Sequence, residues 1–256
     1  MVATRIRPRL ITAILLGLMV SFYPALSLAL SDAEIQELQS SLEGKKTGEK
    51  IAFWAERFIG TPYDKDPQGE YVTREAIVAD DRVDCMYLTF RAVELALSRT
   101  PDEAIRIALD KRFHTRGILQ EGKVLNYDDR FQYGEDMIQS GKWGKDITGQ
   151  VGRTAKIRGS RSYDSYEVLP PHEVLRRKRL ATGDILFFFK APESRIVHEG
   201  VGHIGIVKLE GKPQEVDIYF LNASGTKTRG GVVKKVLLKD YLAKMPFVGV
   251  KVTRFD

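Results

Sequence analysis

The chain has 256 residues, of which 43% are hydrophobic, enough to bury one sizeable core. Forty basic residues stand against 34 acidic ones, but three of the bases (Arg5, Arg7 and Arg9) lie among the first ten residues; without them the net charge falls from +6 to +3. That is too mild a surplus to argue for nucleic acid, and a single cysteine excludes an internal disulfide.

The three arginines precede the apolar run LITAILLGLMVSFYPALSLAL, broken by Pro24 and ending in small residues. A basic start, an apolar stretch too short for a comfortable membrane span and an A-x-A-like end read as a secretory signal peptide over residues 1–29, with cleavage near Ala29. An uncleaved N-terminal anchor is the other reading. Residues 30–50 then form an N-terminal helix or linker: SDAEIQELQSSLE opens with the Ser-x-x-Glu of a capping box. Thr47 begins a second helix, with Ile51, Trp54, Ala55 and Phe58 on one face and Gly60 as its stop. TPYDKDPQGEY is a polar loop. The helix that starts at Cys85 is apolar on more than one side, through Leu88, Val93, Leu95 and Leu97, and so belongs in the core. TPDEAIRIALDKRF is a further helix, capped by Thr100 with Pro101 in its first turn. NYDDRFQYGEDMIQSGKW carries a weak helical pattern, and residues 144–169, rich in Gly, Arg and Ser, read as irregular. Four strands follow: GDILFFFK, GHIGIVKLE, DIYFLNASG and FVGVKVTRF. Helices first and strands later predict an α+β protein, a central helix packed on an antiparallel sheet, with residues 51–256 as one domain.

Cys85 sits where the acidic segment DRVD gives way to the helix. A lone cysteine is either a small buried hydrophobe or, at a helix N-terminus, a thiol whose anion the dipole and free N–H groups stabilise. Export makes an unpaired thiol a liability, which favours chemistry. The activated reading predicts rapid alkylation at mildly acidic pH. His203 begins a strand in VGHIGIV, between glycines that permit close approach to its ring, and Asn222 ends the next strand in FLNASG. If those strands are neighbours, cysteine, histidine and asparagine assemble a papain-like layout of nucleophile, base and ring-orienting group. Asn222 could instead only start the turn ASGTKTRGG, and Asp84 could be only the N-cap of the Cys85 helix. His198 and His203 flank Glu199, but their spacing fits no helical zinc motif, so no metal or cofactor is expected. His114 and His172 read as surface residues, and RRKR at 176–179 as a solvated helix end.

The order DC, GDILFFF, HIGIV and LNASG, with GTPY upstream, resembles the NlpC-type, papain-like cell-wall cysteine peptidases. WAERFIGTPY, YDDRFQYGEDMI, the long segment before GDI, and the closing DYL with GVKVTRF look closer still to their N-acetylmuramoyl-L-alanine amidase-like subfamily, over roughly residues 50–256. The resemblance implies Cys85 as nucleophile, His203 as general base and Asn222 as orienting residue. It implies Asp84 near a substrate amine and Tyr63 beside the oxyanion site. Met86-Tyr87 replaces the usual Ser-Gly, and Tyr87 and Phe90 replace a threonine and a glutamate; these departures fall on the substrate-contacting surface, to which Tyr87 is assigned. The implied function is an exported hydrolase, periplasmic or secreted, that acts on peptidoglycan or muropeptides at the N-acetylmuramoyl-L-alanine amide. It needs no nucleic acid and no stable membrane association once the signal is removed. The long 111–180 insert is expected to shape the substrate groove. A stem-peptide endopeptidase, a wall-binding module of the same fold without turnover, and acyl transfer by the same triad are the alternatives.

Overall fold

The computed structural model describes residues 30–66, 77–161, 163–176, 179–195, 199–212 and 215–256. The expected signal segment, His198 and part of RRKR lie outside the described residues.

Four helices come first, α1 (Asp32–Ser41), α2 (Thr47–Arg57), α3 (Cys85–Leu97) and α4 (Pro101–Lys111). The capping signals act as the sequence predicts. The Ser31 hydroxyl accepts the Glu34 N–H while Glu34 reaches back to Ser31, and Thr100 caps α4 ahead of Pro101. Short pieces follow: β1 (Leu119–Gln120), β2 (Lys123–Val124), α5 (Gly134–Ser140), β3 (Lys145–Asp146), α6 (Thr148–Val151), β4 (Ala155–Arg158), β5 (Ser165–Val168) and α7 (Pro171–Arg176). The chain ends with β6 (Ile185–Lys190), β7 (Val201–Lys212), β8 (Glu215–Thr226), β9 (Gly230–Leu237), α8 (Leu238–Lys244) and β10 (Phe247–Arg254).

The fold is α+β. Six strands form one antiparallel sheet in the order β3-β10-β6-β7-β8-β9. Both faces of this sheet are covered, which explains why ILFFFK is an unbroken apolar run rather than an alternating one. Phe187 and Phe189 join Ile204, Ile206 and Leu221 under the helical layer, against Trp54, Met86, Phe90 and Val93. Leu186 and Phe188 point the other way, into a second core with Val207, Phe220, Leu238, Val250 and Val252. Helix α3 is central, every side chain from Met86 to Ala96 being buried. Ile35 of α1 and Leu42 just beyond it pack into the same core as α2 and α3.

Two expectations need correction. Residues 144–169 are not irregular: β4 and β5 pair as an antiparallel hairpin from Ala155↔Val168 to Arg158↔Ser165. The Gly-Ser-Arg composition belongs to the turn, while the inward residues Tyr166 and Val168 supply the anchoring face. Strand β9, GGVVKKVL, has no counterpart among the expected strands: its first two glycines belong to the expected turn ASGTKTRGG, and both have positive φ where the chain reverses. The weak helical segment is helical only over α5, preceded by a single 3-10 turn at Tyr127–Asp129.

Two local features fix the site's surroundings. The Gly-Asp that opens β6 meets the N-terminus of α2: Gly183 has φ +89°, and a Cβ there would lie 2.2 Å from the Gly48 backbone. Asp184 then holds Arg254 through two bonds of 2.6 and 2.8 Å, which ties β6 to the chain's last strand. On the helical side, Glu94 of α3 is fully buried and takes both forks of the equally buried Arg112, at 2.6 and 2.7 Å. Arg112 also donates to the Ile77 carbonyl at 2.8 Å, and Arg91 grips Asp80 with two bonds of 2.8 and 2.9 Å. These bonds lock the segment that runs from Ile77 into the start of α3.

Removing one partner of a buried ion pair strands the other charge in the core. Glu94→Gln is therefore expected to lower the unfolding free energy by about 3–5 kcal/mol, read from urea denaturation. A loss near zero would show that Arg112 finds its compensation elsewhere.

Candidate functional site

The site is built where two strands part. The β7–β8 ladder runs from Lys212↔Glu215 to Ile206↔Leu221 and stops there. Strand β7 continues on β6 to Val201, across a bulge at Gly202, and β8 continues on β9 to Thr226↔Gly230. An opening is left between residues 201–205 of one strand and 222–226 of the other. Gly205 stands at its apex, and a Cβ there would lie 2.5 Å from the Leu221 carbonyl oxygen and 2.6 Å from the Phe220 ring. Only glycine lets the strands come together at this point before they separate.

His203 and Asn222 face each other across the opening, with His203 Nε2 3.2 Å from Asn222 Oδ1. An amide oxygen only accepts, so with this amide orientation the neutral ring carries its proton on Nε2. Nδ1 is left with a lone pair. Asn222 is 1% exposed, and its Nδ2 lies 3.5 Å from the Phe220 carbonyl. The imidazole is enclosed by aromatic rings of the second core. Tyr241 stacks on it at 5.7 Å and 29°, and Phe220 meets it edge-on at 5.9 Å and 69°. Burial pushes its pKa down to about 4, against a smaller upward pull from the Asn222 bond.

Cys85 arrives from the other layer, as the first residue of α3. Asp84 caps that helix, its Oδ1 accepting the Tyr87 N–H at 2.9 Å. The backbone N–H of Ile204, one residue beyond His203, lies near enough to the Cys85 sulfur to favour its anion. The thiol is thus set into the gap beside the imidazole-bearing strand. Its pKa is pushed up to about 12, first by burial and then by the Asp84 charge, with the Ile204 N–H and Lys227 opposing. One of the two readings of the sequence has the helix N-terminus favouring a thiolate. Here desolvation and the adjacent carboxylate outweigh it, and burial shifts both the thiol and the imidazole toward their neutral forms.

Tyr63 also reaches this place. Its N–H donates to the Gly231 carbonyl at 2.8 Å, and its ring lies so close over Gly225 that a Cβ there would be 2.6 Å away. Burial, and then the charge at Cys85, raises its hydroxyl pKa. Asp84, 3% exposed, has its second oxygen 3.3 Å from Lys227 Nζ, and burial lifts its pKa to about 6 against that cation's pull. The structure therefore brings Cys85, His203, Asn222, Asp84 and Tyr63 together. Tyr87 gives its backbone N–H to Asp84, but its side chain turns elsewhere: the ring is buried, and the hydroxyl donates to Asp80 at 2.8 Å and accepts the Ala79 N–H at 2.6 Å.

Sequence reasoning missed two residues. Tyr241 stacks on His203, feels the Cys85 charge, and has a buried hydroxyl without a hydrogen-bond partner. Its only signal was the DYL triplet. Lys227 lies in the β8–β9 turn, where a lysine among TKTRGG gives no hint of folding back onto Asp84. Among the described residues, no three His, Cys, Asp or Glu side chains gather as metal ligands do.

No family model matches the chain, and no curated protein matches it in sequence. Solved structures do match in three dimensions. An N-acetylmuramoyl-L-alanine amidase from Bacteroides uniformis superposes with a TM-score of 0.60 at 18% identity, over 82% of this chain and 99% of that one. A Legionella pneumophila protein of family DUF1460 gives 0.59 at 14% identity, over 86% and 93%. A Bacteroides fragilis protein described as a presumed xylanase gives 0.57 at 21% identity, over 78% and 99%. The chain shares their fold across nearly the full length of each; at these identities the likeness defines architecture, and the differing names attach to those proteins.

Because alkylation proceeds through the thiolate, a Cys85 pKa above the ordinary thiol range fixes the pH profile. The rate with iodoacetamide is expected to climb about tenfold per pH unit between about pH 7 and 10, below that of free cysteine throughout. A flat, fast profile from about pH 5 to 8 would mean a preformed thiolate–imidazolium pair.

Proposed function

We propose that the protein is a thiol-dependent amidohydrolase of the cell envelope that cleaves the N-acetylmuramoyl-L-alanine amide of peptidoglycan or its fragments. The observation that carries this reading is the His203–Asn222 bond, which with Nε2 protonated leaves Nδ1 as a free base on the strand whose Ile204 N–H lies near Cys85. The amidase fold relatives and the motif order support the substrate. The basic, apolar N-terminal sequence supports export, and no helix among the described residues is long and apolar enough to cross a membrane.

Each step follows from groups in the site. As Cys85 sulfur attacks the carbonyl carbon of the lactyl–alanine amide, its proton moves to His203 Nδ1 and the carbonyl electrons move onto oxygen. The Cys85 backbone N–H, free at the start of α3, faces that oxyanion. Asn222 keeps its hold on Nε2–H while the ring is charged. Burial disfavours the thiolate and the imidazolium alike, so the two charges arise together and briefly. The C–N bond then breaks, and the proton on Nδ1 goes to the departing alanine nitrogen. Water attacks the thioester, giving its proton to Nδ1. The carbon–sulfur bond breaks, and the sulfur recovers a proton from the ring.

Mass spectrometry of purified peptidoglycan and soluble muropeptides after digestion tests the reading. Intact stem peptides that begin at L-alanine are expected with the native protein and absent with Cys85→Ala. Asn222→Ala is expected to lower kcat about 10–100-fold with little change in KM, because orientation of the ring matters in the transition state. Products cut deeper in the stem would move the specificity, and no cleavage by a folded protein would overturn the proposal.

A further inference from the structure

Asp84 precedes the thiol directly and is almost wholly buried. One oxygen is used by the helix cap, and the other faces Lys227 at 3.3 Å. Lys227 comes from the turn between β8 and β9, whose neighbours Thr226, Thr228 and Arg229 are exposed. Its side chain does not follow them into solvent. It folds inward, with 29% of its surface accessible, and its ammonium lies 5.6 Å from the centre of the Tyr63 ring. The cation therefore sits against both a buried carboxylate and an aromatic face, the two surfaces that together recognise an amine.

A second ammonium cannot use the same carboxylate oxygen without lying against the first. We propose that Lys227 is a specificity-determining residue: by occupying Asp84 it excludes peptides that present a free ammonium beside Cys85 and reserves the site for substrates that are uncharged there. This rests on the amidohydrolase reading of the site and deepens it. A muramoyl amide presents a neutral, sugar-bearing acyl group, whereas a released stem peptide presents an ammonium at its first alanine. The device would also keep the product amine from rebinding.

Titration calorimetry at neutral pH on the Cys85→Ala protein tests it with two probes, N-acetyl-L-alanyl-D-isoglutamine and L-alanyl-D-isoglutamine. The acetylated probe is expected to bind about tenfold or more tighter than the free amine. Adding Lys227→Met should erase or invert that ratio, while Lys227→Arg should preserve it. A ratio near one with Lys227 in place, a ratio unmoved by Lys227→Met, or no binding of either probe overturns the inference. Turnover of N-acetylmuramoyl-L-alanyl-D-isoglutamine by the native protein is read alongside. Cleavage with a flat ratio sinks the role of Lys227 alone, and a large ratio without cleavage sinks the amidase reading alone.

Discussion

The parting of β7 from β8 beyond Ile206↔Leu221 is the constraint on which the rest depends. A continuous ladder would spend the Ile204 N–H on β8 and hold the neighbouring strand where the sulfur of Cys85 now lies. With the strands apart, that N–H is left near Cys85, whose anion it favours, and His203 and Asn222 can meet side chain to side chain. The separation is specified locally, by glycine at the apex and the bulge at Gly202. It is stabilised globally, because each strand keeps its other neighbour and neither becomes a bare edge.

Electrostatics at the opening are set by burial more than by formal charge. A cap carboxylate beside the buried thiol and an imidazole enclosed by Phe188, Phe220 and Tyr241 both disfavour isolated ions. Burial thus shifts the centre of the site toward its uncharged forms, with the Asp84–Lys227 pair at its margin.

Much of this architecture is legible in the sequence because it rests on local rules. The capping boxes, the Thr100-Pro101 start, the apolar run of β6 and the order of Cys85, His203 and Asn222 each carry their own signal. What was not legible depends on long-range contact. The β4–β5 hairpin hides in a polar composition because few residues, Tyr166 and Val168 with Ile157, anchor it to the core, and β9 hides behind the glycines that turn the chain. Tyr87 looked like a surface residue by analogy. It is buried because Asp80, held by Arg91, offers its hydroxyl a partner. Lys227 and Tyr241 gave no readable pattern, since a residue in a turn and one in a short helix reach the site only through the fold.

His203 packs in the aromatic layer on one side of the sheet and Cys85 starts the central helix of the layer on the other, so the two side chains have no common scaffold except the strands between them. Their alignment acts as a gauge of how tightly the layers are pressed together. Any loosening of α3 from the sheet, even with every strand still paired, uncouples sulfur from imidazole. In the proposed mechanism, competence for chemistry therefore depends on the closed sandwich as a whole and not on strand pairing alone.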